Sequence, residues 1–107
     1  MLFTQGNMFM LTRGDTATLL VSLQNPDGSE YIMQDGDVLK LAIKKKVCDA
    51  EPLIEKETDG TQFDFAPSDT EGLPFGDYKY DVQLTTAGGD VYTVMTVSTF
   101  RIMEEIA

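Results

Sequence analysis

The sequence predicts an all-β fold: an immunoglobulin-like antiparallel β-sandwich of seven to eight strands with one short helical turn near residues 68–72. Three observations support this prediction. Apolar and polar side chains alternate with a period of two in several segments, Gly-containing turns separate those segments, and helical periodicity is nearly absent. Such alternation is typical of antiparallel sheets that bury one face and keep the other in water.

The clearest strand signal is the segment GDYKYDVQLTT, which begins at Gly76. Every second residue from Tyr78 to Leu84 is apolar or aromatic, and the residues between them are polar or charged. The segments DVLKLAIKK and TQFDFAP show the same alternation over shorter lengths. The apolar members of these three segments form the predicted core: Leu39, Leu41, Ile43, Phe63, Phe65, Tyr78, Tyr80, Val82 and Leu84.

Turn-forming segments mark where each predicted strand begins and ends along the chain. The segments NPDGSE, QDGD, TDGT and AGGD provide turns, and AGGD joins the last two strands as a hairpin. The helical turn lies in PSDTEGLPFG, where Ser68 is a suitable cap and Pro74 prevents continuation. Ig-like sandwiches place such a turn between strands E and F. The predicted strands cover about residues 7–12, 16–24, 29–33, 37–45, 52–57, 61–66, 76–86 and 90–103.

A chain of 107 residues has the size of one domain, which buries about two-thirds of its unfolded surface. We therefore expect a single Ig-like domain over residues 1–107, with residues 1–7 either flexible or in contact with a partner. The only cysteine is Cys48, so no intrachain disulfide forms, and the sequence contains no tryptophan. The disulfide and the buried tryptophan of antibody domains are thus both missing.

The segment LTRGDTATLL contains Arg-Gly-Asp, a tripeptide known as a cell-adhesion signal. It lies between two apolar segments, so we predict a structural turn and not the tip of an adhesive loop. Gly14 supplies unusual backbone angles, the Asp15 carboxylate accepts a hydrogen bond from a nearby backbone N–H, and Thr16 opens the next strand.

The sequence lacks the residue combinations that common active sites require. Without histidine, neither a Cys–His pair nor a Ser–His–Asp triad can form, so Cys48 has no activating base. The Asp-Gly segments lack the spacing of a calcium-binding EF-hand, and zinc has one cysteine and no histidine. We therefore predict no enzymatic activity, no catalytic residue, no metal and no cofactor.

The formal charge of −10 argues against nucleic acid as a partner, because 18 acidic residues oppose 8 basic ones. The basic cluster consists of Lys44, Lys45 and Lys46, preceded by Lys40, which shares its side of the strand with Lys44. Two interpretations remain open for this cluster: a solvated strand end, or a docking patch for an acidic partner.

No apolar segment reaches the roughly 20 residues of a membrane span, and the N-terminus lacks the pattern of a signal peptide. We therefore expect no membrane partner and no independent secretion. The N-terminal segment MLFTQGNMFM is nevertheless rich in Met and Phe, which interfaces favour. It is either part of the core or a contact with a neighbouring subunit. The candidate contact residues are Phe3, Met8, Phe9 and Met10.

Five motifs between positions 13 and 102 resemble the N-terminal domain of phage baseplate upper proteins and small prophage proteins of Gram-positive bacteria. A GDT opens an apolar strand, and a GDVLKLAI strand follows. The remaining motifs are FDFAPSDT, GDYKYDVQL and a closing strand that ends in FRI. The resemblance implies an Ig-like module of the phage tail tip or baseplate that positions other proteins.

Together these features predict a non-enzymatic structural module of a phage or prophage tail, which acts through protein–protein contacts. Its expected partners are other tail or baseplate proteins, with a homo-oligomer as a further option. The resemblance implies a location in the virion tail, or in the bacterial cytoplasm before assembly. The alternative is a carbohydrate- or surface-binding adhesion module, for which Tyr31 and Tyr92 are the available aromatic residues.

Overall fold

A computed structural model describes residues 9–104, apart from the side chains of residues 95 and 96. Seven strands and one short helix account for the regular structure of this part of the chain. Their bounds are β1 (Phe9–Thr12), β2 (Ala17–Leu20), β3 (Val38–Lys44), β4 (Ile54–Thr58), β5 (Gln62–Phe65), α1 (Pro67–Thr70), β6 (Gly76–Thr85) and β7 (Val91–Met103).

The strands form two sheets, one of five strands in the order β1-β7-β6-β3-β4 and one of two strands, β2-β5. The chain leaves the larger sheet after β1, returns to it for β3 and β4, and crosses again through β5 and α1. This alternation between layers is the Greek-key connectivity of Ig-like sandwiches. The predicted all-β sandwich with one helical turn is confirmed.

The larger sheet is mixed, whereas the sequence pattern predicted antiparallel pairing throughout. β1 pairs in parallel with β7, from Phe9 opposite Phe100 to Thr12 opposite Met103. All other pairs of strands are antiparallel. A period of two shows which side chains point inward but carries no information on strand direction, so the sequence could not reveal this parallel pair.

The core lies between the two sheets, and all nine residues named from the alternation are buried in it, each with at most 2% of its surface exposed. Aromatic rings join the layers. The ring of Phe100 on β7 lies 5.8 Å from that of Phe65 on β5 and 5.5 Å from that of Phe9 on β1, centroid to centroid. Further buried apolar residues complete the core: Leu11, Val21, Leu23, Ile54, Val94, Phe100 and Ile102.

Two local predictions were wrong. Residues 29–33 form no strand and contribute only an isolated bridge between Glu30 and Gln24, because a Pro-Asp-Gly turn directly precedes them. The residue that caps α1 is Ala66 and not Ser68. Pro67 occupies the first helical position, and the Asp69 carboxylate accepts a hydrogen bond of 2.7 Å from the Ala66 N–H.

The connection from α1 to β6 is closed by a hydrogen bond of Tyr78. Its hydroxyl donates to the carbonyl oxygen of Pro74 at 2.7 Å, while its ring stays in the core. A tyrosine near the start of strand F that bonds back to the preceding loop is the tyrosine corner of Ig-like sandwiches. This contact fixes the start of β6, whose outward residues form part of the surface described next.

Candidate functional site: the outer face of the five-stranded sheet

The Arg-Gly-Asp segment forms a tight turn, as predicted, but through different contacts. Gly14 has φ +82°, the Asp15 N–H donates to the Thr12 carbonyl at 3.1 Å, and the Gly14 N–H donates to the Thr70 hydroxyl at 2.9 Å. The Asp15 carboxylate makes no hydrogen bond to any residue within 9–104, so its predicted backbone contact was wrong. Thr16 is exposed and lies one residue before β2.

The Arg13 side chain of the same tripeptide is folded onto the protein. Its guanidinium carbon lies 4.1 Å from the centre of the Phe75 ring, and one nitrogen donates to the Leu73 carbonyl at 3.5 Å. An adhesive tripeptide needs a protruding, available arginine. The geometry therefore favours the structural interpretation of this segment.

The structure describes two of the four N-terminal residues that were predicted to contact a partner. Phe3 and Met8 lie outside the described residues. Phe9 points inward, and its partly buried ring packs against Phe65 and Phe100. Met10 points outward on β1 with 54% of its surface exposed.

The outer face of the five-stranded sheet contains the most distinctive surface among residues 9–104. The strand register aligns its outward side chains in rows that cross the sheet. One row contains Glu55, Ala42 and Asp81, from β4 to β6. The next row toward the end of β3 places Lys44 opposite Lys79.

A groove of about 360 Å³ follows the first row. Ala42 forms its floor, because a methyl group is the smallest outward side chain along β3. The loop after β3 raises one wall with Val47, and Val97 of β7 stands at the opposite wall. Both valines are more than half exposed, with 60% and 52% of their surface accessible. The groove thus combines apolar walls with charged rims.

The cations on the rim are arranged at a cost in stability. Lys44 and Lys79 are directly opposite each other on β3 and β6, and like charges in that position destabilise a sheet. Elsewhere on the same face, Arg101 donates two hydrogen bonds to the Asp77 carboxylate, of 2.6 and 3.2 Å, and thereby lowers the pKa of Asp77. Each member of the lysine pair has its own partner: Lys79 donates to the Thr99 hydroxyl at 3.4 Å and attracts Asp77, and Lys44 attracts Asp81.

Asp81 lies at the centre of the groove and is half-buried. Burial raises the pKa of its carboxyl group, while the charge of Lys44 acts in the opposite direction. A β-bulge accompanies it: Tyr80 is opposite Ser98 and Val82 is opposite Met95, so residues 96 and 97 of β7 both face Asp81. Bulges of this kind often lie beside functional sites, where they redirect side chains.

Sequence reasoning found part of this face. It placed Lys40 and Lys44 on one side of the strand, and both line the groove. It also placed Asp81 on the solvent-facing side of its strand, but it did not connect Asp81 with Ala42 or Val97, since each is ordinary within its own strand. The only local signal was an alanine among lysines on the outward side of β3, and its meaning depends on what the neighbouring strands place beside it.

The described residues contain no cluster of potential metal ligands. No group of three or more Cys, Asp or Glu side chains within 9–104 has the geometry of a metal site. All four tyrosines are described; Tyr78 and Tyr80 are buried, and Tyr31 and Tyr92 pack against the core. None of the tyrosines therefore presents a fully exposed ring; Phe75 is the exposed aromatic residue within 9–104, with 40% of its surface accessible, and the Arg13 guanidinium lies over that ring.

No helix within residues 9–104 has the length and apolar content that a membrane-spanning helix requires. Comparison with known proteins identified no relative: no family model matches the chain, and no curated protein is significantly similar to it.

Proposed function

We propose that this protein is a non-enzymatic structural module of a phage or prophage tail or baseplate, which acts through protein–protein contacts of its outer sheet face. The observation that carries the docking part of the proposal is the groove with the Lys44–Lys79 pair at its rim. In the isolated protein the two facing cations repel each other, whereas a partner that brings carboxylates between them turns the repulsion into attraction.

The sandwich suits such a role because the face is rigid. Its strands are joined by ladders of hydrogen bonds, and the aromatic core behind it holds them in one register. A preorganised surface loses little conformational entropy on binding. The assignment to a phage tail depends on the resemblance of the sequence motifs, and the virion tail is accordingly the proposed location.

The proposal is tested by tagging the protein in the bacterium that carries its gene and inducing the resident prophage. We expect purified particles to contain the protein at a fixed ratio to a major tail protein, as measured by mass spectrometry. A variant with Lys44→Glu and Lys79→Glu should be less abundant in particles at unchanged expression. Particles that lack the wild-type protein would contradict the proposal.

The same purified protein also tests the alternative function. Binding to a glycan array, combined with absence from particles, would favour a carbohydrate-binding adhesion module. The packing of Tyr31 and Tyr92 against the core gives that alternative no support from geometry.

A further inference from the structure

We propose that the outer sheet face docks a second copy of this chain, face to face, about a two-fold axis near Lys40 and Gln83. This inference rests on the proposed function and names one partner for the same face. The argument uses the register of the sheet, the distribution of charge along it, and the area that the face offers.

One end of the sandwich carries acidic side chains and no basic ones. The turn at residues 34–37 and the turn at residues 86–90 meet there, as shown by a Cβ built on Gly36, which would lie 2.6 Å from the Ala87 Cβ. These turns expose Asp35 and Asp90. Two apolar side chains accompany the acids, Ile32 with 68% and Val91 with 56% of their surface exposed. We call this region the acidic end.

The charge of the acidic end complements that of the groove. The groove has three lysines, Lys40, Lys44 and Lys79, beside its apolar walls, and they outnumber its two acids, Glu55 and Asp81. The acidic end has carboxylates around apolar side chains. Neither residues 25–37 nor residues 85–94 contain a lysine or an arginine, so nothing neutralises these acids locally. Docking one region on the other brings carboxylates toward Lys44 and Lys79 and covers exposed valines on both sides.

The register places the two regions symmetrically along the strands. Lys40 is opposite Gln83 on β3 and β6, Lys44 is four residues beyond Lys40, and the turn at Asp35 to Gly36 is about four residues before it. At roughly 3.3 Å per residue, the Lys44–Lys79 row and the Asp35–Gly36 turn each lie about 13 Å from the Lys40–Gln83 row, which itself lines the near end of the groove. A two-fold axis along that row therefore brings the Lys44–Lys79 row of each copy opposite the acidic end of the other. Such a contact is self-complementary and closes as a dimer.

The face is large enough for this contact. Five strands at about 4.8 Å spacing, over a length of seven to ten residues, cover roughly 550–800 Å². A stable protein–protein interface buries about 800 Å² per partner, so the expected dimer lies at the lower limit of that size class.

Net charge opposes association but acts at a longer distance. At physiological ionic strength the Debye length is about 8 Å, so most of the excess acidic charge is screened while pairs in contact are not. We expect a dimer under these conditions and dissociation in molar salt, where the Debye length falls to about 3 Å.

The experiment is sedimentation velocity over a range of protein concentrations, with two reciprocal charge variants. The first carries Lys44→Glu and Lys79→Glu in the groove, and the second carries Asp35→Lys and Asp90→Lys at the acidic end. Each alone should weaken dimerisation at least tenfold, because like charges then meet across both contacts. An equimolar mixture should form a heterodimer, because each reversed region then meets its opposite.

A matched pair of variants separates this contact from an effect of net charge. Lys44→Gln with Lys79→Gln changes the charge by −2 on the outer face, and Leu20→Glu with Ser22→Glu changes it by −2 on exposed residues at the two-stranded sheet. Only the first pair should weaken the dimer. Equal weakening by both pairs would contradict the inference, as would a monomeric wild type or a mixture of the reversed variants that stays monomeric.

The test of the dimer and the test of the proposed function can fail separately. A monomeric protein that is present in purified particles would remove the self-docking inference and leave the structural role intact. A dimer that is absent from particles would remove the proposed structural role and leave the self-docking inference intact.

Discussion

The two faces of the sheet at β3 and β6 belong to the same strands but differ in polarity and in burial. Inward residues such as Leu41 and Val82 are fully buried and apolar, and they pack against the aromatic rings of the core. Outward residues of the same strands place Lys44 opposite Lys79 and leave Asp81 partly buried. The inner face is arranged for stability, whereas the outer face gives up some stability. Surfaces that cost stability in the free protein are often those that bind.

The largest expected effect tests the inner face. Phe100→Ala removes a ring whose centroid lies within 6.5 Å of those of Phe9, Phe65, Tyr78 and Tyr80. We expect a loss of about 3–5 kcal/mol, a large fraction of the roughly 5–15 kcal/mol typical of a domain. Urea denaturation measures it. Val97→Ala on the outer face should stay within about 0.5 kcal/mol, and an equal loss for both would remove the contrast between the faces.

The next effect concerns the turns that support the acidic end. Gly36 and Gly28 both have positive φ, +89° and +90°, but only at Gly36 would an added Cβ meet another atom, the Ala87 Cβ at 2.6 Å. Gly28→Ala should cost about 1–2 kcal/mol from backbone strain alone. Gly36→Ala should cost at least about 1 kcal/mol more, because the two turns must separate. Equal melting temperatures for the two variants would show that the turns are not in close contact.

A third test uses pH, because the same turn contains a buried carboxylate. The Tyr31 hydroxyl donates to Asp37, and this hydrogen bond raises the pKa of Tyr31 to about 12 and lowers that of Asp37. For Tyr31, the stabilising contribution is complete below the unfolded-state pKa near 10 and is lost as pH rises toward 12. For Asp37, it is present above the unfolded-state pKa near 4 and is lost as pH falls below it.

Stability measured by urea denaturation should therefore decline on both sides of a neutral plateau. Burial also raises the pKa of Tyr78 and Tyr80, so Tyr31→Phe should reduce the alkaline slope and not abolish it. An unchanged slope in Tyr31→Phe would show that this hydrogen bond does not contribute.

The smallest expected effect tests the outer face. Lys79→Gln relieves the repulsion with Lys44 and should leave stability unchanged or raise it by up to about 1 kcal/mol. Arg101→Gln is the matched control, because Arg101 also lies on the outer face but is paired with Asp77, and its removal should lower the melting temperature slightly. A clear loss of stability in Lys79→Gln would mean that the Lys44–Lys79 pair does not destabilise the free protein.

What the sequence by itself determined is which side of each strand is buried. Hydrophobicity decides burial, and the period of two is a local property, so the nine core residues and the turn at Gly14 could be read directly from the chain. Only the tertiary structure decided which outward residues are neighbours. The parallel pairing of β1 with β7, the position of Ala42 beside Asp81 and the placement of Lys44 opposite Lys79 arise from hydrogen bonding between strands far apart in sequence. A residue's own segment contains no information about that register, because register is set by the pairing partner.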